Sequence, residues 1–210
     1  MINLHMKLSK LFFAAAVVFS AVACCPKKAA EKSAIDVIMS RKSVRSYTQE
    51  AIPAEKVEVL LKAAMAAPTA MNVQPWRFVV VTDQAVKDQL AGQRGMIANA
   101  PLVIVICGEA TFMRKPWGQP DAEPVEAENP FWFEDCAAAT ENLLVAAEAI
   151  GLGAVWTACY PMPDRMEPTI AALGLPSNVK PFAVIPVGYP AGDDQPKDKW
   201  KPENVHYDKW

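Results

Sequence analysis

The stretch Ala67-Pro68-Thr69-Ala70-Met71-Asn72-Val73-Gln74-Pro75-Trp76 decides how the rest of the chain is read. Pro68 and Pro75 break it, so neither a helix nor a strand runs through. Its Met and Trp mark a loop that packs against something. Upstream, Val57, Leu60, Leu61 and Ala64 recur with helical spacing behind Pro53, a residue suited to the first helical position. That helix must stop before Pro68. Downstream, Phe78 to Thr82 is apolar and β-branched, which predicts a strand. The loop therefore joins helix to strand and presents two amides, Asn72 and Gln74, that can donate and accept hydrogen bonds. A proline-rich loop holding a Trp fits a structural role equally well.

Outward from this loop, helices and strands alternate. Ile35 to Met39 form a short apolar helix that runs into Arg41-Lys42-Ser43-Val44-Arg45. Asp83 can cap a helix reaching about Gly92. Pro101 to Cys107 is apolar on both faces, the mark of a central strand. Residues 108–133, rich in Pro, Trp and Phe, read as irregular and fit either a substrate wall (Phe112, Trp117, Phe131, Trp132, Phe133) or dimer packing. A buried helix starts at Glu134 or Asp135, carries Ala139, Leu143, Leu144, Ala146, Ala147 and Ile150, and is closed by Gly151. Gly153 to Cys159 is a third strand, Pro163 to Leu173 a helix closed by Gly174, and Phe182 to Val187 a fourth strand ended by Gly188. The tail from Ala191 has no hydrophobic period, yet Trp200, Val205, Tyr207 and Trp210 are suited to docking.

The chain has 210 residues, 52% hydrophobic and 21% charged, which fits one globular domain with its own core. A formal net charge of −2 gives no basic excess for nucleic acid. The first residues differ in kind. Lys7 and Lys10 precede an apolar run, Leu11 to Ala23, of signal-peptide length and too short to span a bilayer. Small residues before Cys24 make this resemble a bacterial lipoprotein signal, although Ala21 stands where Leu is usual. Residues 1–23 would then be removed, Cys24 lipidated, 24–33 left as a linker, and the domain at 34–210 anchored to a bacterial membrane on the periplasmic or cell-surface side. An ordinary cleaved signal is the alternative. Of five cysteines, Cys107, Cys136 and Cys159 remain. Their odd number gives no disulfide framework and their spacing no zinc site, so they read as small core residues. His5 and His206 are the only histidines, which excludes a His-based triad and a multi-His metal site.

Three constellations carry chemistry. Arg41, Lys42 and Arg45 put three cations within five residues, and Ser43 adds a hydroxyl, a set suited to phosphate oxygens. By itself the segment also fits a solvated basic turn, as does Lys197-Asp198-Lys199. Asn72 and Gln74, flanked by Met71 and Trp76, suit the pyrimidine edge of a flavin ring. Gly151-Leu152-Gly153-Ala154-Val155-Trp156-Thr157 brings backbone N–H groups to an exposed turn, but has neither dinucleotide-fingerprint nor Walker spacing.

The order is R-K-S-V-R at 41–45, A-P-T-A-M-N-V-Q-P-W-R-F at 67–78, E-N-L-L-V-A-A-E-A-I-G-L-G-A-V-W at 141–156, then V-G-Y-P at 187–190 with K-D-K and V-H-Y. From Ala34 to Trp210 this resembles the nitroreductase family of FMN enzymes. The resemblance implies an α+β fold, a three-layer α/β/α sandwich around a mixed, largely antiparallel sheet, in an intertwined homodimer with FMN at the interface. It implies that Arg41, Lys42, Ser43 and Arg45 hold phosphate and ribityl from one subunit. Pro68, Thr69, Met71, Asn72 and Gln74 would come from the other. Trp156, Thr157 and Ala158 would lie along the ring, Gly188 beside the phosphate, and Lys197 and Lys199 would complete its binding. Lys199 often is Arg in the family, and a Lys lacks the fork. The implied activity is reduction of nitroaromatic- or quinone-like acceptors by NAD(P)H, by ping-pong hydride transfer through flavin N5 with no catalytic side chain. Alternatives are a different flavin-dependent reduction on this fold, or an exported flavin-binding lipoprotein without NAD(P)H turnover.

Overall fold

A computed structural model describes residues 32–210. The expected signal and Cys24 lie outside the described residues. Helix α1 (Ala34–Ser40) starts from Ser33, whose hydroxyl accepts from the Asp36 N–H while the Asp36 carboxylate accepts from the Ser33 N–H. Ser33, placed in the linker by sequence alone, thus caps the first helix. Helix α2 (Ala54–Met65) follows Pro53, which is its N-cap residue and not the first helical position. Strand β1 (Trp76–Val81), helix α3 (Gln84–Ala91) capped by the Asp83 carboxylate, and a single turn, α4 (Gly95–Ala98), come next. Strand β2 (Leu102–Glu109) leads to a hairpin of β3 (Thr111–Arg114) and β4 (Val125–Glu128). Then come α5 (Trp132–Ala149), β5 (Gly153–Ala154), β6 (Thr157–Ala158), α6 (Pro163–Leu173) and β7 (Val179–Gly188).

The main sheet has the order β1-β2-β7-β5, with β6 also on β7, and every one of these pairings is antiparallel. A parallel bridge from Ser43 to Ala154 makes it mixed. Alternation along β2 divides the core into two. Leu102, Ile104 and Ile106 pack with Leu60 and Ala64 of α2 and with Ala139, Leu143 and Ala147 of α5. Val103, Val105 and Cys107 pack with Leu90 of α3 and Ile97 of α4. Helices on both faces give the expected three-layer α+β sandwich.

Three details correct the sequence expectations. Residues 108–133 are not wholly irregular, because they hold the β3–β4 hairpin. The hairpin is two strands wide and largely exposed, so no burial pattern marks it. The third strand is two short pieces in one register, interrupted at Val155-Trp156. Helix α5 begins at Trp132, earlier than its first acidic residues. Trp132 is buried over Gly108, where a Cβ would come within 2.5 Å of its ring.

Candidate functional site

Segment 41–47 is pinned to the sheet edge before it offers any charge. The Val44 N–H donates to the Ala154 carbonyl at 3.1 Å. Val44 is buried against Gly153, where a Cβ would meet the Val44 side chain at 2.7 Å. The Tyr47 hydroxyl lies between the carbonyls of Val44 and Pro186, and burial pushes its phenol up, so it stays protonated. With Val44 and Tyr47 turned inward, Arg41, Lys42, Ser43 and Arg45 remain accessible. They line a cleft of about 340 Å³ together with Asp194, Gln195, Lys197 and Lys199 of the tail. Five cations and one carboxylate converge there from segments far apart in sequence.

Helix α5 orders two of those cations. Arg41 Nε pairs with Glu141 at 3.0 Å, and Lys42 Nζ with Glu148 at 3.3 Å. Glu148 also accepts from Lys32 Nζ at 3.2 Å and from the Ser40 hydroxyl at 3.0 Å. Burial pushes the Glu148 carboxyl up, but the hydrogen bonds from Lys32, Ser40 and Lys42 and the charge of Lys42 outweigh it. Its pKa therefore lies below the ordinary 4.5. Arg45, Lys197 and Lys199 have no carboxylate within salt-bridge distance among the described residues, which leaves the cleft electropositive. A phosphate fits this donor set.

The loop at 68–74 has its own rigidity. Met71, Asn72 and Gln74 all adopt left-handed backbone, with φ of 52°, 55° and 54°. That conformation costs a residue with a side chain on the order of 1 kcal/mol, somewhat less for Asn. The Thr69 hydroxyl accepts from the Gln74 N–H at 3.2 Å, and the Asn72 side-chain oxygen accepts from Gln74 Nε2 at 2.9 Å. The Ala70 N–H donates to Asp135 Oδ1 at 2.8 Å. The result holds Asn72, Gln74 and Met71 exposed at the surface with their amides in fixed relation.

These two groups are not adjacent within one chain. The loop precedes Trp76, which pairs with Gly108, which pairs with Lys180 near the start of β7. The cleft lies beside Ala154, which pairs with Val187 near the end of β7. The ten residues of β7 span about 30 Å. Trp156 lies between, in the interruption of the strand, followed by Thr157 and Ala158 opposite Val184 and Ala183. The Thr157 hydroxyl donates to the Val184 carbonyl inside the core, so it has backbone rather than hydroxyl to offer. Gly188 does not line the cleft. A Cβ there would meet Tyr47 at 2.8 Å and Pro101 at 2.9 Å, so packing accounts for this glycine.

Sequence reasoning missed Glu141, Glu148 and Asp135, because α5 reads as apolar nearly all round. The signal was present: Glu141 and Glu148 are two turns apart and so share a face. Cys107, Cys136 and Cys159 are all buried thiols, and burial pushes the Cys107 thiol up to about 12.

Residues 38–93 and 88–189 match the model of the nitroreductase family. A protein of Archaeoglobus fulgidus, provisionally named NADH dehydrogenase/NAD(P)H nitroreductase, is 36% identical over 184 residues, covering 84% of this chain and 98% of its own. An FMN reductase (NADPH) of Bacillus subtilis is 27% identical over 184 residues, covering 83% of this chain and 72% of its own. The crystal structure of a provisionally named NADH dehydrogenase/NAD(P)H nitroreductase of Bacteroides thetaiotaomicron has a TM-score of 0.75 and 41% identity, covering 85% of this chain and 99% of that one.

Proposed function

The chain belongs to the nitroreductase family and is an FMN-dependent NAD(P)H oxidoreductase, and from that premise we propose how its residues serve the reaction. Arg41, Lys42, Ser43, Arg45, Lys197 and Lys199 bind the phosphate and ribityl end. Pro68, Thr69, Met71, Asn72 and Gln74 of a second copy bind the ring end. Backbone at Trp156, Thr157 and Ala158 lies along the ring. The observation that carries this reading is the cleft itself, where cations from 41–45 and from the tail meet on one side of the sheet. The opposite placement of the 68–74 loop supports a site completed by a homodimer. So do apolar side chains exposed on α1 and the tail, among them Met39 at 72% and Trp200 at 72%.

Electron transfer from NAD(P)H to an acceptor is chemistry that FMN supplies when bound. The chain's part is to bind and orient. Charge-assisted hydrogen bonds from the cleft hold the phosphate, and the paired amides of Asn72 and Gln74 read the ring edge. No side chain need act as acid or base. The acceptor proposed is nitroaromatic- or quinone-like, reduced in ping-pong order. The test is anaerobic: the purified protein, loaded with FMN, should bleach on addition of NADH or NADPH. A yellow protein that neither nucleotide bleaches would favour flavin binding without NAD(P)H turnover.

Export and lipid anchoring through Cys24 are part of the same proposal, supported by the signal-like residues 1–23. Cells fed a labelled fatty acid should label the wild-type protein and not Cys24→Ser. A wild-type protein that takes up no label would sink the anchor.

A further inference from the structure

Asp135 lies in the first turn of α5 and is only 5% exposed. Its Oδ1 accepts from the Ala70 N–H at 2.8 Å, while Oδ2 has no hydrogen-bond partner among the described residues. A buried carboxylate with a single partner is costly, so its retention asks for a reason. The loop it touches supplies one. Ala70, Met71 and Asn72 make several hydrogen bonds within the loop (Asn72 N–H to Thr69 O, Val73 N–H to Ala70 O, Gln74 Nε2 to Asn72 Oδ1). Among the described residues, the bond to Asp135 is the only one that ties these three residues to anything outside the loop. Directly after it come the left-handed Met71 and Asn72, then Gln74. A backbone in that conformation relaxes unless something holds it.

We propose that Asp135 is the positioning residue of the ring-binding half of the site: it fixes the loop at Ala70, so that the amides of Asn72 and Gln74 meet the flavin ring in one arrangement. This rests on the reading that the loop binds the ring. Asp135 is buried behind its bond to Ala70, and it lies at the end of α5 away from Glu148. Its loss therefore affects ring binding and leaves phosphate binding intact.

Flavins with and without a phosphate separate the two halves. Apoprotein is titrated with FMN, with riboflavin and with inorganic phosphate as a competitor of FMN, and the visible spectrum of the bound flavin is recorded. Asp135→Ala is expected to weaken riboflavin and FMN by the same factor, roughly tenfold, and to shift the bound spectrum, with phosphate competition unchanged. Asp135→Asn keeps an acceptor oxygen and should recover most of the affinity. A second variant acts from the loop side. Thr69 is extended, with ψ of 150°, and Ala70 opens a 3-10 turn, so Ala70→Pro removes the donor without touching the core. It should reproduce the Asp135→Ala loss, and the double variant should be no worse than either. Wild-type riboflavin affinity and spectrum in Ala70→Pro overturn the proposal, as does an Asp135→Ala variant that loses phosphate as much as riboflavin. If the wild-type protein takes up neither flavin, the flavin reading itself has failed. If it takes up both and the variants match it, only the role of Asp135 has failed.

Discussion

At the scale of the residue, the cleft shows how charge is ordered before any ligand arrives. Glu148 gathers Lys32, Ser40 and Lys42 around one carboxylate, and its pKa lies below its ordinary value in consequence. The sign follows from linkage. A group whose folded pKa is depressed adds stability that is fully present above the unfolded pKa and is lost as the pH falls through the folded one. Glu148 should thus contribute fully at neutral pH and lose its contribution as the medium is acidified below its ordinary 4.5. Glu148→Gln should lower the melting temperature at pH 7 and flatten its fall under acid. Melting curves of the two proteins that stay parallel from pH 7 to about pH 3 would show that this cluster adds nothing. Gly153 and Gly188 make a complementary point. Neither has positive φ, and each is required by a neighbour's side chain, Val44 or Tyr47.

Helix α5 is the element that links the phosphate-binding half of one site to the ring-binding half of the other. Its 18 residues span about 27 Å. Asp135 at its start holds the 68–74 loop, and Glu141 and Glu148 further on hold Arg41 and Lys42. One rigid helix packed by Ala139, Leu143 and Ala147 therefore sets both ends. The apolar pattern that makes α5 easy to find in sequence is also what hid its acids. The hairpin β3–β4 is the opposite case. Thr111-Phe112-Met113-Arg114 and Val125-Glu126-Ala127-Glu128 alternate weakly, pair only with each other, and are separated by a proline-bearing loop. Nothing local marks them as partners.

For the whole molecule, the separation of the two half-sites along β7 predicts subunit sharing. Asn72→Ala should damage the ring half of a site, and Arg45→Ala the phosphate half. When the two variants are unfolded and refolded together, half of the dimers should be hybrids, and each hybrid should hold one intact and one doubly defective site. About one site in four should then recover full flavin affinity. Mixing that restores no affinity would place both halves in a single chain.

Sequence by itself determined every helix but the single turn α4, the central strand, the inward-facing thiols and the segments that carry charge and amides. These are local properties: periodicity, proline breaks and caps act within a few residues. The stretch from Ala67 to Trp76 was legible as a packed loop for the same reason. The tertiary structure decided which of those segments meet. Arg41 to Arg45 read alone as a basic turn, and became a cleft only because Val44 and Tyr47 dock on β5 and β7 while the tail returns Lys197 and Lys199 to the same place. The left-handed Met71 and Gln74, and the buried Asp135 beneath them, could not be read in advance. Backbone strain is not written in side-chain type, and a hydrogen bond across 65 residues depends on how α5 packs against the sheet.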